Sequence, residues 1–344
     1  MPQPIDAISK GGGMTPLDVG VDLDRMRAER RARVVAAMAE EGIDALVLGT
    51  GANLRYATGA TPLWLAGTRP FAPLAVVLAD GRTHLVANSD DGIPEGIGLI
   101  PASWNPLTIM ERLACVDGFA GASRIGVDGL SPMFEGLLTA TFPDARLVDA
   151  TTLLHRVRAT KTDDELACMG IATALCEAAL DAVASDLVGR TERELHGRFV
   201  EHMAASGTTI PAFDGTFCVV DEGRPLRRLV SDRTVVAGDR VALDAGVMVH
   251  GYEGGLARTE GADATAARAA LDALKEACRP GVTADELARA APNPDLVPAY
   301  GVGLGVEPLS TGVGATLCLQ VLVDGVLLRE TVVMGADGVE PLPR

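Results

Sequence analysis

Gly238-Asp239-Arg240-Val241-Ala242-Leu243-Asp244-Ala245-Gly246, with Gly251-Tyr252 and Arg258-Thr259 behind it, is the stretch on which the fold of this chain is decided. Arg240 to Asp244 and Val247 to Gly251 are short, mostly apolar runs that read as strands. Ala245-Gly246 between them predicts a hairpin-like corner.

The same grammar continues on both sides. Downstream, Ala266 to Cys278 predicts a helix stopped by Pro280-Gly281, and Thr283-x-x-Glu286 caps the next. Thr316 to Val323 and Val326 to Val333 predict two strands joined by Asp324-Gly325, a hairpin signal. Upstream, Thr162-x-x-Glu165 and Thr191-x-x-Glu194 are capping boxes, opening helices that run to about Leu187 and to near Gly207. Phe217 to Val220 reads as a strand. Residues 155–344 therefore read as α+β, with helices on an antiparallel sheet.

Residues 21–150 read as an α/β domain. Leu23 to Glu41 is an amphipathic helix stopped by Gly42, and Ile43 to Leu48 is a buried strand. Asn53 to Gly59 is turn-rich. Leu74 to Leu78 and Thr83 to Val86 flank the hairpin signal Ala79-Asp80-Gly81, and Arg124 to Val127 and Arg146 to Val148 add two strands. Residues 1–20, polar and Gly-rich at the start with no apolar core for export, read as a disordered leader.

With 344 residues, 48% of them hydrophobic, the chain has material for two cores. Thirty basic against 46 acidic residues leave a net charge of −16, which argues against nucleic acid or an anionic membrane as partner. No apolar run reaches the ~18 residues of a membrane span. The six cysteines are scattered without C-x-x-C spacing, the pattern of reduced thiols in a cytoplasmic protein.

Five segments in order resemble the creatinase/prolidase/aminopeptidase P superfamily. Asn53 to Gly59 is similar to its "N-x-x-Y-x-T-G", and His155 to Glu165 to its "R-x-x-K-[ST]-x-x-E". Gly238 to Thr259 resembles "G-D-x-V-x-x-D-x-G … G-Y-x-x-D-x-x-R-T". Gly301 to Leu304 with Glu307-Pro308 resembles "G-H-G-I-G-L … H-E-x-P", and Arg329-Glu330 to Gly338 resembles "[RV]-E-D-x-x-x-V … G". The resemblance implies a pita-bread fold for the second domain, a small α/β domain before it, and a homodimer.

The peptidases of that family hold two divalent ions with two Asp, one His and two Glu, which polarise a carbonyl and generate hydroxide. Carried over by resemblance, the first Asp is Asp244 and the last Glu is Glu330, while the other three positions fall on Gly255, Tyr300 and Gln320. A family His falls near Arg227. Glycine, phenol and amide are poor substitutes for carboxylate and imidazole. The expectation is therefore a chain with no metal ion and no cofactor, outside the metallopeptidases.

Its function is expected to be a metal-independent, creatinase-like reaction on a small, carboxylate-bearing substrate, by C–N hydrolysis or lyase-like acid–base chemistry. Asp244, Glu330 and Tyr300 are the expected catalytic groups. Arg227, Arg258, Gln320, Tyr252 and Glu307 are expected to bind substrate, the arginines through bidentate contact with a carboxylate. The alternatives are a non-catalytic binding protein on the same scaffold and, third, a metal-dependent Xaa-Pro peptidase. His250 and Glu253, beside the Gly251-Tyr252 turn, are expected to face solvent.

Overall fold

The computed structural model describes residues 20–60, 74–208, 210–293 and 295–343, so residues 1–19 of the expected leader lie outside the described residues. The chain divides into two compact units, Asp22–Arg158 and Ala159–Arg344.

The first unit runs α1 (Leu23–Glu41), β1 (Ala45–Leu48), α2 (Gly51–Thr58), β2 (Ala75–Leu78), β3 (Thr83–Ala87), β4 (Gly98–Pro101), α3 (Pro106–Ala114), β5 (Arg124–Asp128), α4 (Pro132–Thr141), β6 (Arg146–Asp149) and α5 (Thr151–Ala159). Its six strands form one sheet in the order β4-β3-β2-β1-β5-β6. β1, β5 and β6 are parallel, and β2 and β3 form the antiparallel hairpin at Asp80-Gly81. Gly42 stops α1 as expected, in the left-handed conformation.

Asn53 to Gly59 is helical rather than turn-rich. Only Gly59 behaves as punctuation, closing α2 at a φ of 68°. Asn53 is buried, and its side-chain oxygen accepts from Arg158 Nη1 at 2.7 Å instead of bonding local backbone.

The second unit runs α6 (Asp163–Ala184), α7 (Glu192–Ala205), β7 (Thr216–Val219), β8 (Val241–Val249), β9 (Tyr252–Glu260), α8 (Thr265–Ala277), α9 (Ala284–Ala290), β10 (Ala299–Gly303), β11 (Gly305–Glu307), β12 (Thr316–Val323), β13 (Val326–Met334) and β14 (Val339–Pro341). All three predicted capping boxes form, at Thr162, Thr191 and Thr283. Its sheet runs β11-β10-β12-β13-β9-β8-β7, with β14 also on β13, and the pairings among these described strands are antiparallel. α6 packs on β8 and β9, and α8 on β12 and β13, so one sheet face is covered by helices and the other is left to build a site. This is the pita-bread arrangement.

α6 is long and apolar enough by composition to cross a membrane. Ten of its residues are buried, among them Cys168, Met169, Cys176, Leu180 and Val183, and it serves here as a core helix. All six cysteines are free; five are buried and Cys115 is exposed.

Ala245-Gly246 is not a corner. Both residues stay in the β8 ladder, opposite Leu256 and Gly255, and the chain reverses at His250-Gly251. Those two residues hold φ of 49° and 86°, the backbone of a two-residue hairpin. Gly246 is needed for space: a Cβ there would stand 2.6 Å from the Phe213 ring.

Gly254 brings β9 against α6 so closely that a Cβ would collide with the backbone of Ala172 and Thr173. Gly254→Ala should therefore lower stability by about 1–3 kcal/mol in urea unfolding. Gly136→Ala, in open space on exposed α4, should raise it by ~1 kcal/mol. Equal responses would show that the α6–β9 approach is not tight.

Candidate functional site

Side chains alternate across the sheet, so the face away from the helices receives Asp244 from β8, Glu253 and Gly255 from β9, Arg329 from β13, Cys318 from β12 and Tyr300 from β10. Arg329 is at the centre and only 2% exposed. Its Nε donates to Asp244 Oδ1 at 2.9 Å, and its Nη2 reaches the same oxygen at 2.8 Å. Nη2 also donates to the Ala245 carbonyl at 2.8 Å, and Nη1 approaches Cys318 Sγ and Glu253 Oε1, each at 3.8 Å. The guanidinium lies over the Phe213 ring, 4.5 Å from its centroid.

Gly255 is the steric partner of this arrangement. A Cβ there would stand 3.0 Å from Arg329 Nη2 and 2.5 Å from the Ala245 carbonyl oxygen. The missing side chain at 255 is thus the room that the guanidinium needs.

Burial opposes the charge on Arg329, but Asp244, Cys318 and Tyr300 outweigh it and hold the guanidinium above its ordinary pKa. Burial pushes Glu253 up, against the pull of Arg329, and Asp244 is shifted the same way for the same reasons. Burial, followed by Cys318, pushes the Tyr300 phenol far above its ordinary value, leaving it a hydrogen-bond donor at neutral pH.

Most of the expected site residues have other duties. Glu330 is one residue away from Arg329 and so points to the helix-covered face, where Arg268 and Lys275 pair with it. It cannot work with Asp244. Arg258 is on that covered face too, ion-paired with Asp181 at 2.7 Å and Glu260 at 2.6 Å.

Arg227 is held by the fully buried Glu192, through Nη1 at 2.9 Å and Nη2 at 2.5 Å, and also donates to Ser231. The Tyr252 hydroxyl donates to Glu165 Oε1 at 2.5 Å, tying β9 to the start of α6. Glu307 is buried against Lys161 Nζ at 2.8 Å. Gln320 shares the open face but donates its amide to the Val297 carbonyl at 2.8 Å. Asp244 and Tyr300 remain together.

Arg329, Cys318 and Glu253 were absent from the expected set. Glu253 is 3% exposed rather than facing solvent. Its position two residues before Gly255 on one strand was the available signal, because i and i+2 share a face.

The family's two-ion centre does not fit these residues. Among the described residues no three His, Cys, Asp or Glu side chains gather as a metal-binding group. Asp244 already carries a fixed cation, Gly255 offers no donor, and Glu330 is on the other face.

Comparison with known proteins agrees with the architecture. The model of the creatinase/prolidase N-terminal domain matches residues 30–160, and that of metallopeptidase family M24 matches residues 167–319. The Xaa-Pro dipeptidase of Pyrococcus horikoshii is 23% identical over 292 residues, 80% of this chain and 78% of its own. That of Pyrococcus furiosus is 22% identical over 304 residues, 83% and 82% of the two chains. The solved prolidase of Pyrococcus horikoshii superposes at a TM-score of 0.71 with 20% identity, over 92% of this chain and 98% of its own. Dipeptidase PepE of Mycobacterium ulcerans gives 0.68 with 22% identity, over 94% and 96%.

Two outcomes follow from the buried cluster. Arg329→Met should cost about 3 kcal/mol by stranding Asp244, and adding Asp244→Asn should restore part of it; strict additivity in denaturation would sink the pairing. Because the Glu253 pKa is raised from 4.5, its stabilising form is the protonated one, present below that value and lost as pH rises through the folded pKa. Glu253→Gln should therefore equal the parent at about pH 4 and exceed it in melting temperature at about pH 8.

Proposed function

The chain belongs to the creatinase/prolidase/aminopeptidase P superfamily, and from that premise we propose that it is a peptidase of the Xaa-Pro dipeptide class for which its Pyrococcus relatives are named. This replaces the expectation of a metal-independent hydrolase or lyase outside the metallopeptidases. The model that matches the second unit is that of a metallopeptidase family, and the curated relatives are Xaa-Pro dipeptidases along most of the chain.

The observation that carries the reading is the place of the M24 match. It covers residues 167–319, which supply β7 to β11 and the first half of β12, and with them Asp244, Glu253, Tyr300 and Cys318 of the open face. Of the cluster's carboxylates, Asp244 keeps the most exposure, 19% of its side chain against 3% for Glu253. An incoming peptide offers an ammonium group, amides and a carboxylate. The exposed edge of Asp244 attracts the first, and the Tyr300 hydroxyl can donate to an acceptor. A homodimer working in the cytoplasm on small peptides completes the reading.

Because the two-ion centre does not fit the described residues, activity is best sought with divalent ions supplied in excess. Purified protein should release proline from Xaa-Pro dipeptides when Mn2+, Co2+ or Zn2+ is added, and Asp244→Asn should lower that release roughly tenfold or more. No release with any of these ions, from a folded protein, refutes the proposal.

A further inference from the structure

We infer that Arg329 is a built-in cation of the Asp244 cavity, and that it and a divalent ion are alternative occupants of the Asp244 carboxylate. The inference rests on the peptidase reading, which it deepens by naming what an ion must displace. It begins from space. The guanidinium fills the volume in front of Gly255, and Nη2 stands 3.0 Å from where a side chain at 255 would begin. An ion held between positions 244 and 255 would therefore overlap Arg329 or lie in contact with it.

Charge points the same way. Both Arg329 contacts to Asp244 converge on Oδ1, so an ion approaching the other carboxylate oxygen meets a fixed positive charge a few ångströms away. Two cations that close repel strongly where water is sparse. Arg329 is also anchored independently of Asp244, by the Ala245 carbonyl and the Phe213 ring. Moving it aside breaks those contacts and exposes a desolvated cavity, so ion binding must overcome the whole anchorage.

The inference ties three residues together. Gly255 gives the guanidinium room, Arg329 brings the charge, and Cys318 presents a soft, polarisable surface at 3.8 Å. Any one of them without the others would leave an unpaired charge or a void. Together they form a closed cluster.

The test is direct Mn2+ binding, counted by electron paramagnetic resonance on wild type, Arg329→Met and Arg329→Met/Asp244→Asn. Arg329→Met keeps the bulk over Phe213 and removes the charge. It should bind one Mn2+ at least about tenfold more tightly than wild type, and the double variant should lose that gain. Equal affinity in wild type and Arg329→Met, or a gain that survives Asp244→Asn, overturns the inference.

If Arg329→Met does not fold, the parent chain decides through Asp244→Asn alone. Micromolar Mn2+ binding should be the same with and without it, and loss of binding in Asp244→Asn overturns the inference. The readout is ion binding and not turnover. Absent proline release leaves this comparison standing, and equal Mn2+ affinities leave the peptidase proposal standing.

Discussion

The Arg329 guanidinium and the Asp244 carboxylate meet inside a sheet whose other inward groups are arranged around them. Removing an arginine from water costs several kcal/mol, and one salt bridge rarely offsets it. Here the Ala245 carbonyl, the Phe213 ring and the sulfur of Cys318 share the task, and Gly255 leaves the space. These partners come from β8, β9, β12 and the segment before β7. The pair therefore fixes the relative register of strands far apart in sequence, since slipping one strand by a residue would turn its contribution to the opposite face.

Around that centre, polar residues that looked available for a ligand turn out to hold the scaffold. Glu192 draws in Arg227, Ser231 and the amide of Val219, anchoring the segment between β7 and β8 to the start of α7. Lys161 and Glu307 make a second buried ion pair, and Tyr252 locks β9 to Glu165 of α6. A buried charge or phenol left without such a partner would destabilise the unit, so each of these contacts is accounted for by stability before any chemistry is considered.

The relationship to the Xaa-Pro dipeptidases is thus firm in architecture and altered in the cavity. At about one residue in five identical, the chain superposes along nearly the full length of a solved prolidase and a solved dipeptidase. In this chain the sheet and its helices rest on small residues at close approaches, capping boxes at helix starts and two-residue reversals between strands. The open face, where the resemblance implies metal ligands, carries the Arg329 guanidinium beside Asp244. Fold is robust to such exchanges because it depends on pattern, whereas a coordination set depends on each atom.

Much of the architecture was legible in the sequence because its signals are local. Thr162, Thr191 and Thr283 cap their helices with their own third neighbours, and Asp324-Gly325 turns because those two residues tolerate positive φ. The ordered motifs likewise carried the family, and two of the residues they single out, Asp244 and Tyr300, stand on the same sheet face. That Glu253, Cys318 and Arg329 share this face, and that Glu330 does not, was not legible, because each depends on strand parity and on partners tens of residues away. Motif matching put the last ligand at Glu330, while the alternation of β13 sends Arg329 to the cavity and Glu330 to the helices. The sequence by itself determined the helix caps, most of the hairpin turns and the family. Which side chains share a cavity with Asp244 was decided only by tertiary structure, since a shift of one residue along a strand reverses the face on which a side chain stands.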